Sequence, residues 1–194
     1  MRILDLGCGA GRDLVSWGVS PSDKITGLDL NSGHLAVARQ RFPNRSYLQG
    51  AGEWLPFADE SFDRVISTLA LPYMNIPKAL AEIHRVLVPG GGLGLSLHLP
   101  SFTLGEFLHQ ALPKPIPTIF RLYVAANGVF FHCTGRTLGL PNGRTESFQT
   151  RRGMTIALRE SGFINLSFEE EGAVMGNRLV VEATKPPHRA AVAA

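Results

Sequence analysis

Ile3-Leu4-Asp5-Leu6-Gly7-Cys8-Gly9-Ala10-Gly11 opens the chain with a short apolar run that ends in three alternating glycines. The pattern is that of a buried strand running into a glycine turn and then a helix. Glycine reaches backbone angles closed to other residues and lets a ligand approach the main chain. In an open α/β sheet such a turn suits a nucleotide-like ligand at the switch point of the strand order. A dinucleotide fingerprint requires G-x-G-x-x-G. Here the third glycine comes one residue early and position 12 is Arg, which weakens a pyrophosphate reading. Asp5, two positions before the loop, would repel a diphosphate and attract an ammonium or sulfonium group. Asp29 follows Gly9 by 20 positions and closes a second apolar run. From there a carboxylate can accept hydrogen bonds from both hydroxyls of a ribose. Alone, the loop reads equally well as a bare strand-to-helix turn and Asp29 as a helix cap; the pair is more specific than either part.

Outward from this loop, short apolar runs alternate with helical stretches. A short helix is expected over Asp13 to Val19, a strand over Ile25 to Asp29 and a helix over Gly33 to Phe42. Strands follow at Ser46 to Gln49 and Phe62 to Thr68. Ile76, Leu80, Ile83 and Leu87 recur at helical spacing. Pro89-Gly90-Gly91-Gly92 reads as a turn into a fifth strand ending at Leu99. This order predicts an α/β fold, a Rossmann-like doubly wound and mostly parallel sheet. Residues 101–150 break the rhythm with Pro113, Pro115 and Pro117, and read as an irregular insertion forming an acceptor lid. Arg152 to Ser161 reads as a helix, and Ile164 to Glu170 and Arg178 to Thr184 as the closing strands. The expected organisation is one domain over 1–184, with 185–194 a disordered tail.

Composition narrows the function. Among 194 residues, 44% are apolar and 18% charged, enough for one sizeable core. A net charge of +3 with scattered Lys and Arg predicts no nucleic-acid partner. No apolar run reaches the roughly 18 residues of a membrane helix, and Met1 leads into a run holding Asp5 rather than a signal peptide, so a cytoplasmic location without stable membrane anchoring is expected. Cys8 and Cys133 have no partners at metal-ligand spacing, and no metal site is predicted.

Four stretches in order resemble the class I S-adenosylmethionine-dependent methyltransferases, especially their small-molecule group. They are Leu4 to Gly11, then Gly27-Leu28-Asp29-Leu30-Asn31, then Gly50 to Phe57 with Ser61-Phe62-Asp63, and Leu80 to Gly92. The resemblance is dense over residues 1–99 and resumes at 152–184. It implies a seven-stranded sheet with an antiparallel last strand, and S-adenosylmethionine as cofactor with S-adenosylhomocysteine as product. By this resemblance Asp5 and the backbone of Gly7, Cys8, Gly9 and Gly11 hold the amino-acid part of the cofactor. Asp29 binds the ribose, Leu30 packs on the adenine, and Gly52 and Glu53 lie along its edge. Ser67 and Leu69 close the site beside the sulfonium. Ala51 stands where the family usually has an acidic residue, so Glu53 or a backbone carbonyl must substitute. The family's helical segment before the first strand has no counterpart ahead of Met1, so either an open cofactor site or a longer chain is expected.

The acceptor is expected to be a small molecule, hydrophobic or anionic, methylated by in-line displacement. The cofactor supplies the driving force and the protein supplies alignment. A base is needed only if the acceptor must lose a proton. His98, at the carboxyl end of the fifth strand, is the first candidate, against a plain strand-end histidine. His132 is the second, against packing in an aromatic cluster. Tyr73 is a candidate lining the acceptor pocket, against rim packing. His34 and His84 read as solvated, and Cys8 as a small packing residue. The alternative function is a fold relative that binds the cofactor or a partner without turnover.

Overall fold

The computed structural model describes residues 1–11, 14–99, 115–141, 143–172 and 178–188. Seven strands form one sheet: β1 (Arg2–Leu6), β2 (Lys24–Asp29), β3 (Ser46–Gln49), β4 (Phe62–Thr68), β5 (Leu87–His98), β6 (Ile164–Glu171) and β7 (Arg178–Thr184). Their order is β3-β2-β1-β4-β5-β7-β6. The first five pair in parallel, and β7 runs antiparallel to both β5 and β6. Because β1 sits between β2 and β4, the connections diverge beside it and leave a crevice at the carboxyl ends of these strands.

The helices are α1 (Ser32–Arg41), α2 (Ile76–Val86), α3 (Pro115–Thr134) and α4 (Arg151–Glu160), with single 3-10 turns at Val15–Trp17 and Leu71–Tyr73. Helix α2 starts where Asn75 accepts a hydrogen bond from the Lys78 N–H, satisfying an otherwise orphaned donor. Its Ile76, Ala79, Leu80, Ile83 and Val86 are buried. They meet Val65, Leu93, Leu95, Leu97 and Val181 of the sheet in the main core. Each Leu or Ile buried there contributes roughly 1.5–3 kcal/mol. On the opposite face Ile3, Leu14 and Ile66 form a smaller cluster with Trp17.

Three expectations are corrected. The first helix is shorter: its described part is one 3-10 turn, and Asp13 lies outside the described residues. Pro89 to Gly92 does not precede β5 but lies within it, taken up by a register break between Phe62↔Leu87 and Arg64↔Gly92. Gly90, at φ +79°, donates to the Lys185 carbonyl and holds this bulge against the chain after β7. The insertion is not wholly irregular, because residues 115–134 form a 20-residue helix. Pro115 and Pro117 fall in its first turn, where a missing N–H costs nothing. Residues 100–114 of the expected lid lie outside the described residues, as do 189–194 of the expected tail.

Candidate functional site

The ends of β1, β2, β3 and β4 surround a hollow of about 180 Å³, lined by Gly7, Leu28, Asp29, Leu30, Gly50, Gly52, Ala70, Tyr73 and Met74. Gly7, Gly9 and Gly11 all take positive φ, at 71°, 55° and 76°. Gly7 and Gly11 have a further reason to be glycine, because a Cβ at either would crowd a neighbouring residue. A Cβ on Gly7 would lie 2.1 Å from the Ala70 Cβ, so the loops after β1 and β4 touch there. At Gly9 a Cβ would meet nothing within 4 Å, so the main chain of the loop is open to a ligand.

Asp29 ties this loop to β2. One carboxylate oxygen accepts the Gly9 N–H at 2.8 Å and the other accepts the Asn31 N–H at 2.9 Å. A carboxylate has about four acceptor positions, so capacity remains for two vicinal hydroxyls. His34 Nδ1 stands 3.7 Å from the second oxygen. Next to Asp29, Leu30 is 66% exposed, an apolar surface against which a planar ring can stack. Asp5 lies buried at the end of β1, below the loop. Cys8 is buried too, with its sulfur 2.8 Å from the position of a Cβ on Gly27, and only a small side chain fits.

The loop after β3 is clamped to α2. Glu53 accepts the Asn75 N–H at 2.7 Å, and Glu82 accepts the Leu55 N–H at 2.8 Å. Arg85 donates to the carbonyls of Leu55 and Phe57 and to Glu82 and Asp59. The Glu82 carboxylate, and after it Asp59, holds the Arg85 pKa above its usual value, while Arg85 holds the Glu82 carboxyl below its own. Glu53 thus spends one oxygen on the start of α2, while Gly52 reaches the hollow.

Leu69 sits in the left-handed region, at φ 60°, with its N–H donating to the Ser96 carbonyl. That conformation costs a non-glycine residue roughly 1–3 kcal/mol and gathers at ligand sites. Ser67 is fully buried on the main-core side of β4, away from the hollow. Among the catalytic candidates Tyr73 lines the hollow, with its ring 54% exposed. His98 ends β5 opposite Arg178, beyond β4 from the glycine loop. His132 accepts or donates at Nδ1 to the Thr150 hydroxyl, 2.9 Å away at the start of α4, and is not brought to the hollow. His34 is exposed as expected, whereas His84 is half-buried. It packs edge-on to Phe163 at 5.2 Å with Nε2 buried, and burial, then Lys185, lowers its pKa. Leu28, Gly50, Ala70 and Met74 line the hollow without having been singled out in the sequence.

A larger hollow, about 570 Å³, lies on the other side of the sheet and is lined by Arg64, Thr68, Ser96, Glu169, Arg178 and Glu182 among others. It has charged walls and no glycine loop; volume alone does not make it the site. Among the described residues no group of three or more His, Cys, Asp or Glu could hold a metal ion.

Residues 4–95 match the methyltransferase-domain family. The demethylmenaquinone methyltransferase of Chlorobaculum parvum is 30% identical over 176 residues, which cover 86% of this chain and 67% of that protein. Its counterpart from Chlorobaculum tepidum is 38% identical over 166 residues, covering 84% of this chain and 65% of that protein. The chain thus spans about two thirds of the length of these relatives. A SAM-dependent methyltransferase of Methanosarcina mazei shares the fold, with a TM-score of 0.68 at 20% identity over 96% of this chain and 93% of that one. The chain therefore belongs to the class I S-adenosylmethionine-dependent methyltransferases, enzymes that move the sulfonium methyl group of that cofactor to an acceptor.

Proposed function

We propose that this chain binds S-adenosylmethionine across the ends of β1 to β4 and methylates a small apolar acceptor approaching from the Tyr73 side. The observation carrying the cofactor assignment is Asp29, fixed by the Gly9 and Asn31 N–H groups with acceptor capacity left over. In this reading Asp29 takes the ribose hydroxyls and Leu30 and Gly52 border the adenine. Asp5 and the Gly7–Gly11 backbone, with Cys8 as filler, hold the amino-acid end. Glu53 acts through the loop it ties down, and Ser67 and Leu69 shape the sulfonium end from behind. The cofactor, when bound, supplies an activated methyl group; the protein's part is alignment and exclusion of water. Two of the relatives above are named for demethylmenaquinone, a quinone, which supports an apolar acceptor over an anionic one. Tyr73 is assigned to the acceptor wall and His98 to accepting a proton where the acceptor must lose one.

Calorimetric titration with S-adenosylmethionine and S-adenosylhomocysteine tests the reading. Micromolar binding to the native chain that weakens at least about tenfold in Asp29→Ala is expected, since a buried charge-assisted hydrogen bond contributes about 1.5–3 kcal/mol. Equal affinity in the two proteins would remove Asp29 from the site.

A further inference from the structure

We infer that His34 is a positioning residue for the cofactor: when charged it holds the Asp29 carboxylate and takes a place that the ribose hydroxyls need. The inference rests on the assignment of Asp29 to the ribose. Asn31 caps α1, its side-chain oxygen accepting the Gly33 and His34 N–H groups. The cap fixes His34 in the first turn of the helix, where its side chain faces Asp29. Nδ1 stands 3.7 Å from the Asp29 Oδ1, the oxygen that already accepts the Asn31 N–H, while Oδ2 accepts the Gly9 N–H. A carboxylate offers about four acceptor positions. The backbone N–H groups leave one on each oxygen, enough for two vicinal hydroxyls. A protonated imidazole donates from both ring nitrogens. On closing the remaining distance to Oδ1 it fills the position left there, and the ribose keeps only the one on Oδ2. The His34 side chain is exposed and has room for that movement.

The surroundings make Asp29 the group that answers a charge on His34. Among the described residues it is the one carboxylate within ion-pair distance of the ring. The amino end of a helix disfavours a cation, so α1 itself does not hold the ring charged. The other charged groups around the hollow are placed or engaged elsewhere. Asp5 lies buried at the end of β1, and Glu53 accepts the Asn75 N–H. Arg39 donates to the Tyr47 carbonyl, and Arg41, in the last turn of α1, to those of Ala10 and Gly11. Histidine changes charge between about pH 5 and pH 8. Neutral, His34 leaves Oδ1 to the cofactor; charged, it competes for it. The sign follows: affinity rises with pH, and binding releases protons. Exposure limits the size, because a surface ion pair changes an equilibrium by at most about fivefold. Asp29 thus supplies the acceptors, and His34 sets how many of them the ribose receives.

Calorimetric titration of the full chain with S-adenosylhomocysteine, at about pH 5.5 and about pH 7.5, tests it. This ligand has no sulfonium, so repulsion between that charge and His34 does not enter. Its own titration is common to every protein compared. The native chain should bind about two- to fivefold more weakly at the lower pH. Buffers of different ionisation enthalpy should show a fraction of a proton released on binding between the two pH values. His34→Gln should lose both the pH dependence and the proton release. His34→Lys keeps a cation beside Asp29 throughout, and should bind at the higher pH as weakly as the native chain does at the lower. A cooperative melt of each protein at both pH values keeps unfolding out of the comparison. The inference is overturned if the native affinity is the same at both pH values, or if His34→Gln keeps the native pH dependence and proton release. If Asp29→Ala binds as tightly as the native chain, the ribose assignment fails and this inference with it. If Asp29→Ala binds weakly while His34→Gln keeps the pH dependence, the inference alone fails.

Discussion

At Gly7 two constraints coincide. Its φ of +71° is strained for any side chain, and a Cβ would lie 2.1 Å from that of Ala70. Gly7→Ala should therefore push the loops after β1 and β4 apart, with a cost of about 2–4 kcal/mol from the backbone and the overlap together. Gly9→Ala has the backbone strain without the clash and should cost the smaller part, which chemical denaturation of the two variants would separate. If they were equally stable, the Ala70 contact would not be decisive. His84 gives a second residue-scale expectation. Burial lowers its folded pKa below the unfolded value of about 6.5. The unfolded chain then binds the proton first, so the His84 contribution is intact above about pH 6.5 and declines as pH falls toward the folded value. His84→Phe keeps an aromatic ring against Phe163 and removes the titration. Its stability loss between about pH 7 and pH 5 should be smaller than that of the native chain, as read from urea midpoints. A parallel loss in both proteins would place the acid sensitivity elsewhere.

Among the elements, the loop after β3 depends on α2. Arg85 bridges two loop carbonyls and two carboxylates. Removing it takes that donor from the Leu55 and Phe57 carbonyls and leaves Glu82 with the Leu55 N–H alone. Arg85→Ala is expected to destabilise by about 2–3 kcal/mol and to weaken cofactor binding through Gly52. Arg85→Lys should rescue little of either, because an ammonium cannot reproduce the planar fork. Denaturant midpoints and calorimetry on both variants check this, and a lysine variant as tight as the native chain would mean that charge alone suffices. The same elements mark how far the sequence can be read. Strands β3, β4 and β7 fall on the expected residues because turn residues bound each apolar run. Helix α3 was hidden because Pro115 and Pro117 look like breakers until their place in the first turn is known. Gly7 and Asp29 were legible from the glycine turn and the carboxylate at their strand ends, and Leu30, Gly52 and Tyr73 only through the family resemblance. Leu28, Gly50, Ala70 and Met74 carry no such label, and only the sheet order brings them together. Likewise the burial of His84 depends on Phe163, far along the chain.

For the whole molecule, the hollow belongs to no single element. Its walls come from residues after β1, β2, β3 and β4, spread from Gly7 to Met74. At about 180 Å³ it is smaller than the roughly 300–1,000 Å³ of most small-molecule sites. A bound cofactor must therefore spread along the strand ends or part the Ala70–Met74 segment from the glycine loop. In either case it touches segments that unfolding of the sheet would separate, so the unfolded chain cannot retain it. Linkage then gives the native state about 2.7 kcal/mol at a ligand concentration 100 times Kd. For a chain of this length each kcal/mol moves the melting temperature by about 2–4 °C. Saturating S-adenosylhomocysteine should accordingly raise the melting temperature by about 5–10 °C in the native chain and by much less in Asp29→Ala. A shift well below that range at proven saturation would mean that parting Ala70–Met74 from the loop consumes binding energy. In that case Met74→Ala, which clears the sulfur lying 2.5 Å from a Cβ position on Gly52, should bind more tightly than the native chain. Weaker binding in Met74→Ala would instead show that this sulfur packs on the bound ligand, and that the hollow widens by some other movement.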